Sequence, residues 1–208
     1  MILSKLSKTS DNLAGSCWMI VAMIGFAIED SLIRLISLTI PFGQVLFLFG
    51  LGGALIFAFF CKVQKQQLFV KEVFSRPMII RMFFELIGRL FYSLSLVLMP
   101  ISLVTLVLQA TPIFVVAGAA LIFRETVGFF RWIAIFSGLL GVIFIIEPAS
   151  DGFSPYVLFA VLGMLGFAGR DLGSRAASPK LSYHHLGFYG FVAVMSACLL
   201  YTSDAADE

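Results

Sequence analysis

Ionisable residues interrupt a long apolar stretch near the start of the chain. Glu29, Asp30 and Arg34 lie within the run from Leu13 to Leu38. Charge in hydrocarbon is costly, so such side chains usually face a partner or a polar cavity. On a helix, Asp30 and Arg34 can pair on one face, whereas Glu29 points about 100° away. We therefore predict an Asp30–Arg34 pair. The two acids either serve in substrate binding or proton exchange, or form a buried bridge that fixes helix packing.

A second acid and base with the same spacing, Glu85 and Arg89, lie in a later apolar stretch. Arg89 falls near its middle, where a guanidinium can bind a carboxylate or phosphate on a ligand, or can complete a network with Glu29. Tyr92 lies one turn further on and is predicted to line the same cavity. We assign Glu85 to a structural network and keep both roles open for Arg89.

Gln109, Thr111 and Pro112 form a polar break in the next apolar stretch. Proline removes a helical hydrogen bond and frees a carbonyl, which at membrane depth is tolerated beside protein or a water-filled cavity. We predict Gln109 and Thr111 as substrate-site residues. Pro112 is predicted to bend the helix, either for gating or as a static kink.

The first charged stretch has a second copy later in the chain. Residues 164–178 match residues 23–37 at seven positions. The identical pairs are Met23/Met164, Gly25/Gly166, Phe26/Phe167, Ala27/Ala168, Asp30/Asp171, Arg34/Arg175 and Ser37/Ser178. Because the copy keeps an acid and a base four residues apart, Asp171 and Arg175 are predicted to form a network or gating pair of the same kind.

Composition indicates that these charged residues belong to a membrane protein. Of the 208 residues, 60% are hydrophobic and 12% are charged, whereas a soluble domain has about 25% charged residues. Apolar runs of about 20 residues recur, which is the length a helix needs to cross a bilayer. We predict an all-α polytopic membrane protein with about seven transmembrane helices. Their approximate bounds are 13–38, 42–61, 77–99, 101–123, 127–147, 153–172 and 182 onward.

The basic residues predict the orientation of these helices. If alternate connections are taken together, 12 of the 14 Lys and Arg fall on one side, and basic residues concentrate on the cytoplasmic side. They are Lys5, Lys8, Lys62, Lys65, Lys71, Arg76, Arg81, Arg124, Arg131, Arg170, Arg175 and Lys180. The N-terminus is therefore predicted to be cytoplasmic. An odd number of crossings separates the two copies, so they have opposite orientations, an inverted repeat typical of secondary transporters.

An inverted repeat predicts how the chain is divided. Residues 1–147 hold a first repeat of five helices, and residues 148–197 hold the first two helices of a second repeat. Seven helices of an expected ten are then present, so we predict a C-terminally truncated chain. Residues 198–208 turn polar in mid-helix and are similar to a translated sequencing adapter, which predicts a non-native tail. A complete seven-helix protein with a short acidic tail is the alternative.

Glycines and tryptophans on the predicted helices have packing roles. We expect the glycines to permit close helix approach, and the tryptophans to anchor helices at the membrane interface. The glycines are Gly50, Gly52, Gly53, Gly138, Gly141, Gly163, Gly166 and Gly169, and the tryptophans are Trp18 and Trp132.

Several other chemistries have no support in the sequence. The three cysteines are isolated, which favours buried apolar side chains over a metal site or disulfide. His184 and His185 are adjacent, do not share a helix face and are interpreted as a lipid-interface pair. We predict no metal, no cofactor, no catalytic residue and no nucleic-acid partner. Two rival classes stay open: an intramembrane enzyme that uses the acids or histidines, and a membrane scaffold subunit that does not transport.

Two motifs support a family assignment. Both copies carry Gly-Phe-Ala-x-x-Asp, and Pro112 is followed by Phe-Arg-Glu125-Thr and by Arg-Trp132-Ile-Ala-Ile-Phe-Ser-Gly138-Leu-Leu-Gly141. This pattern resembles the drug/metabolite transporter superfamily of the EamA type. The resemblance implies a ten-helix secondary transporter that moves a small organic metabolite across the bacterial inner membrane by alternating access, with its cavity between the repeats. The implied partners are a small-molecule substrate, the lipid bilayer and a proton as candidate coupling ion.

A finer resemblance concerns the substrate. Phe26-Ala-Ile-Glu-Asp30, followed by Pro41-Phe-Gly-Gln44, is also similar to bacterial members of the superfamily that import riboflavin. A riboflavin-type vitamin importer is therefore the alternative function within the same superfamily.

Overall fold

The computed structural model describes residues 2–125, 128–146 and 154–204. Helices make up nearly all of these residues, and the described ranges contain no β-strand. The predicted all-α class is therefore confirmed. The connection with Glu147 and Asp151, which separates the two predicted repeats, lies outside the described residues, as do Thr126, Val127 and the end of the predicted tail.

The helices follow the predicted order of apolar segments, with the fourth segment divided in two. Prolines mark several starts: Pro41 directly precedes α2, Pro77 lies in the first turn of α3 and Pro100 directly precedes α4. At these positions the missing N–H costs no helical hydrogen bond. The helices are α1 Ile2–Ile36, α2 Phe42–Val63, α3 Arg76–Leu98, α4 Ile101–Leu108, α5 Thr111–Ile122, α6 Phe129–Ile146, α7 Val157–Ala176 and α8 Tyr183–Asp204, with a short 3-10 helix at Lys71–Phe74.

Three stretches in the described ranges are long and apolar enough to cross a membrane by length and composition. They are Phe42–Val63, Ile101–Ile122 and Val157–Ala176. Large apolar side chains point outward along them, and Leu55, Phe59 and Leu121 are all more than half exposed. Such a surface is unfavourable in water but suits contact with lipid tails. The polytopic membrane class is therefore confirmed.

Close contact between α3 and α7 depends on glycines. A Cβ atom on Gly166 would overlap the backbone of Gly88, and one on Gly163 would lie 2.7 Å from the backbone nitrogen of Tyr92. Small residues let helix backbones approach in this way. The expected close approach is confirmed for Gly50, Gly53, Gly138, Gly163, Gly166 and Gly169, whereas Gly52 and Gly141 have no such neighbour within 4 Å in the described part of the chain.

The largest buried apolar cluster lies where α3, α4 and α7 meet. It includes Leu96 of α3, Val104 of α4 and Met164 of α7, and Ile33 joins it from α1. The other large contact is between α2 and α8, where Gly50 packs against the backbone of Met195. Helix α1 meets the rest of the described protein chiefly along α3. The ionisable residues of α1 therefore come to lie beside those of α3.

Candidate substrate-binding site

Glu29 and Asp30 of α1 both bind side chains of α3. Arg89 Nη1 donates to Glu29 Oε1 at 2.5 Å, and the Tyr92 hydroxyl donates to Asp30 Oδ2 at 2.7 Å. Arg89, Tyr92 and Asp30 are buried. The adjacent acids point to different partners because neighbouring helical residues are about 100° apart. Four of the predicted substrate-site residues thus lie together, and the sequence-based alternative of a Glu29–Arg89 network is confirmed.

The predicted Asp30–Arg34 pair is wrong. Arg34 Nη1 instead donates to the backbone carbonyls of Leu96 and Met99 at the end of α3. The Leu96 carbonyl lacks its usual helical donor because Pro100, four residues on, has no N–H. A cation is also favoured beside the unpaired carbonyls of a helix C-terminus. Arg34 therefore caps α3, which leaves Asp30 for Tyr92.

The Asp171–Arg175 pair expected from the repeat is also wrong, and Glu85 does not pair with Arg89 although the two have the same spacing. Glu85 binds Arg81 Nη2 at 3.4 Å and Arg170 Nη1 at 3.5 Å rather than Arg89. Asp171 binds Arg170 Nη2 at 2.9 Å, and Arg175 Nη2 binds Glu125 Oε1 at 2.8 Å. A spacing of four residues only permits a pair, and other partners on the same helix or on another helix bind these side chains instead.

Arg81 and Arg170 are the residues that sequence reasoning missed, because both were counted among the basic residues of the connections. Arg81 lies in the first turns of α3, is buried, and donates from Nε to Ser174 Oγ at 2.9 Å. Arg170 lies inside α7. The repeat held the signal, since its alignment places Arg170 opposite Glu29. Arg170 binds Glu85 and Glu29 binds Arg89, so each of the two equivalent residues pairs with an α3 residue of opposite charge. The two α3 partners are one turn apart.

Two phenylalanines enclose the Arg89 guanidinium. Its central carbon lies 4.3 Å from the ring centroid of Phe49 in α2 and 5.5 Å from that of Phe167 in α7. Arg170 lies 4.8 Å from the same Phe167 ring. Arginine is attracted to the negative faces of aromatic rings at such distances. Four helices therefore meet around Arg89.

A cavity of about 430 Å³ lies beside this group, between α1 and α2. Its lining is apolar except for Glu29, and it includes Phe49, so it reaches two of the residues that contact Arg89. The full lining is Gly25, Ile28, Glu29, Leu32, Ile33, Ile36, Val45, Leu48 and Phe49. A second depression of about 500 Å³ is lined by α1 alone, between Ser16 and Ala27, and its lining includes no charged residue. The cavity between α1 and α2 is therefore the candidate site.

The polar break does not join this group. Gln109 and Pro112 are exposed, and the Thr111 hydroxyl donates to the Leu108 carbonyl at 2.5 Å. No hydrogen bond or ion pair in the described ranges links Gln109 or Thr111 to Glu29, Asp30 or Arg89. The helix is interrupted at Gln109–Ala110, with Pro112 in the first turn of α5. The predicted bend is thus a break between two helices, and gating at this point stays a prediction.

His184 and His185 form hydrogen bonds with residues of the connection between α2 and α3. Both are buried, which corrects their assignment as a lipid-interface pair. His185 bonds the Gln67 carbonyl at 2.8 Å, and Ser182 donates to Gln66 at 2.7 Å. Glu72 lies in the same connection. Hydrogen bonds from the Glu72 backbone N–H and the Lys180 ammonium keep the pKa of the Glu72 carboxyl below its ordinary value. This connection is fastened to the start of α8.

With this geometry in place, comparison with known proteins decides the family. The family model described as the EamA-like transporter family matches residues 13–147. The chain belongs to the EamA-like transporter family. The sequence-based resemblance is therefore confirmed, and an EamA-like membership points away from an enzyme.

Individual relatives agree with the EamA-like assignment. The S-adenosylmethionine uptake transporter of Rickettsia prowazekii is 22% identical over 188 residues, 90% of this chain and 63% of the relative. The riboflavin transporter of Vibrio cholerae is 29% identical over 178 residues, 83% of this chain and 57% of the relative. The riboflavin transporter of Rhizobium johnstonii is 25% identical over 177 residues, which are 81% of this chain and 56% of the relative. The chain spans less than two thirds of these curated relatives. No solved structure gives a significant match.

Proposed function

We propose that this chain is part of a secondary transporter that moves a small organic metabolite across the bacterial inner membrane by alternating access. The observation that carries the proposal is the Glu29–Arg89 ion pair at the edge of a cavity, in a chain of a transporter family. An ion or substrate gradient supplies the energy, with a proton as the candidate coupling ion. The N-terminus is cytoplasmic in this proposal.

The unsatisfied atoms of the charged group support a binding role over a purely structural one. Asp30 Oδ1 and Arg89 Nε are buried and have no hydrogen-bond partner in the described part of the chain. Each such atom costs about 1–3 kcal/mol. A buried ion pair also adds little net stability compared with packed apolar residues. A network that served packing alone would be expected to satisfy these atoms, whereas a binding site leaves them for a ligand.

The size and lining of the cavity fit a small organic molecule. Its volume of about 430 Å³ lies within the range of roughly 300–1,000 Å³ for small-molecule sites, which are mostly apolar with few polar groups. Glu29 supplies the polar group of the lining. Arg89 binds the Glu29 carboxylate, and Asp30 is the next residue along α1. The substrate is therefore a molecule with an apolar body and at least one polar group.

Relatives narrow the substrates to test. S-adenosylmethionine and riboflavin, named for the relatives, both combine a ring system with polar groups. We propose a small metabolite of this general kind, with a riboflavin-type vitamin as the alternative already indicated by Phe26–Asp30. Alternating access would proceed by movement of the two repeats against each other, in which α7 of the second repeat changes position against α3 of the first.

Uptake measurements test this function. Cells that produce the full-length product of the gene encoding these residues should accumulate radiolabelled S-adenosylmethionine or riboflavin. Glu29→Gln or Asp30→Asn should lower the initial rate at least about tenfold, equivalent to about 1.4 kcal/mol, at equal membrane abundance. Glu72→Gln is the matched control, because it makes the same change at an ion pair in a connection. Unchanged transport in both site variants would contradict the site, and no transport by the wild type would contradict the function.

A further inference from the structure

Arg89 has more donors than its partner uses. Glu29 accepts from Nη1, and Nε is buried without a partner among the residues that the structure describes. A guanidinium is planar and can donate to two oxygens of one carboxylate or phosphate at once. The guanidinium also lies against the rings of Phe49 and Phe167. The cation is therefore packed against two aromatic rings, while its capacity to bind an anion is only partly used.

Glu29 lies between Arg89 and the cavity. The Glu29 side chain is 23% exposed and lines the cavity, whereas the Arg89 side chain is 6% exposed and is absent from the lining. Glu29 also lies on α1, which meets the rest of the described protein chiefly along α3. An anionic group that enters the cavity would reach Arg89 only by replacing the Glu29 carboxylate.

We propose that Glu29 is a displaceable internal occupant of an anion site on Arg89, and that this site takes the carboxylate or phosphate of a substrate whose apolar body fills the cavity between α1 and α2. The inference rests on the proposed transport function and names its substrate class. The released Glu29 carboxylate turns into the cavity, where it accepts a hydrogen bond from a donor on the same substrate. Substrate binding thereby breaks the link between α1 and α3.

One cation among the described residues, Arg89, faces this position, and its counter-charge comes from Glu29 on α1. From α3 come Arg89 and the Tyr92 hydroxyl, and the latter is already committed to Asp30. From α2 comes the uncharged Phe49, and from α7 the uncharged Phe167. The acids nearest to this position on α1 are Glu29 and Asp30. Once Glu29 leaves, the cation next to the cavity is matched by the substrate anion, so the charge on Arg89 stays neutralised.

The competing arrangement makes Glu29 the direct ligand of a cationic substrate group, with Arg89 only fixing Glu29 in place. The two arrangements predict opposite effects of Glu29→Gln. Removing an internal competitor strengthens the binding of an anion. Removing a direct ligand weakens the binding of a cation.

Binding of four aromatic probes by the full chain in nanodiscs of phosphatidylcholine separates the two arrangements. The probes are phenylacetate, phenyl phosphate, benzylamine and benzyl alcohol. We expect Glu29→Gln to tighten the binding of at least one anionic probe about tenfold, and Arg89→Gln to abolish that binding. Arg89→Lys keeps the charge but not the planar fork, so it should bind the anion more weakly than wild type while melting normally. Glu72→Gln and Arg76→Gln, both remote from the cavity, are the matched controls.

Each outcome has a fixed meaning. Phenylacetate against phenyl phosphate distinguishes a carboxylate from a phosphate ligand, and weaker probe binding in nanodiscs with phosphatidylglycerol would identify a lipid headgroup as the source of the anion. Weaker anion binding in Glu29→Gln, benzylamine binding that Glu29→Gln abolishes, or no anion binding by any folded variant would overturn the proposal. If the probes behave as expected but the full-length protein does not transport, only the proposed function fails. If it transports while probe binding is indifferent to Glu29 and Arg89, only this inference fails.

Discussion

At the scale of single residues, the position of Arg89 is decided by groups on three other helices. Glu29 lies 60 positions away in sequence and forms the ion pair, while Phe49 and Phe167 contact the guanidinium from α2 and α7. Coulomb and cation–π attraction are both stronger where water is excluded. Glu85, one turn away on the same helix, is taken by Arg81 and Arg170. Arg89 therefore takes its counter-charge from Glu29 on α1.

Double-mutant cycles should distinguish the observed ion pair from the one expected at four-residue spacing. Glu29→Gln and Arg89→Gln should show a coupling within about 0.5–3 kcal/mol in the free energy of unfolding, because they share one contact. Asp30→Asn and Arg34→Gln should couple by less than about 0.5 kcal/mol, because their side chains bind Tyr92 and the end of α3 respectively. Unfolding in detergent micelles measures both cycles. Stronger coupling between Asp30 and Arg34 would mean that the observed arrangement is not the stable one.

At the scale of helices, the contact between α3 and α7 positions the charged group. Gly88 and Gly166 allow the two backbones to touch, and this places Arg170 beside Glu85 and Phe167 beside Arg89 and Tyr92. The repeat partner of Gly166, Gly25 in α1, has no neighbour within 4 Å in the described part of the chain. The two copies of one motif thus have different packing environments.

Alanine at these two equivalent glycines should have opposite effects on stability. Gly166→Ala forces α3 and α7 apart and should lower the free energy of unfolding by about 1–3 kcal/mol. Gly25→Ala meets no atom, and because alanine is the better helix former by roughly 0.5–1 kcal/mol, it should leave stability equal or slightly higher. Thermal unfolding of the two variants, measured side by side, checks this. Equal losses at both positions would show that α1 packs more closely than the structure has it.

At the scale of the whole molecule, the two copies of the repeat match in sequence but carry opposite charges at one equivalent position. Glu29 in α1 and Arg170 in α7 occupy equivalent positions, and each binds α3 through a residue of opposite charge. Helix α3 therefore carries one partner for each copy, one turn apart. If the copies are inverted, as the number of crossings predicts, movement of the second repeat against the first must break the Arg170–Glu85 ion pair, because α7 belongs to the second repeat and α3 to the first.

Cysteine labelling tests the inverted orientation. Thr39 follows α1 and Lys180 follows α7, and both are exposed. In a variant without Cys17, Cys61 and Cys198, Thr39→Cys should react with a membrane-impermeant maleimide in intact cells, whereas Lys180→Cys should react only after the membrane is opened. The reason is that an odd number of crossings separates these equivalent points. Reaction of both from one side would refute the inverted repeat and the cytoplasmic N-terminus together.

Hydropathy and residue spacing were sufficient to predict the helices, because a bilayer sets both the length and the composition of a crossing segment. They also pointed to four polar residues that the structure brings together, whereas Gln109 and Thr111 lie apart from them. Glu29, Asp30, Arg89 and Tyr92 lie together because charged residues inside apolar helices must find partners. The Gly-Phe-Ala-x-x-Asp copies and the stretch after Pro112 pointed to the EamA-like family, which the comparison confirmed.

Only the tertiary structure decided which partner each charged side chain binds. Asp30 binds Tyr92, Arg34 binds the end of α3 and Arg89 binds Glu29, although each has a charged neighbour one turn away on its own helix. Spacing along a helix limits which side chains can meet within it, but the partners offered by other helices depend on how closely the backbones approach. In this protein that approach is set by glycines such as Gly88 and Gly166, whose contact joins residues far apart in sequence.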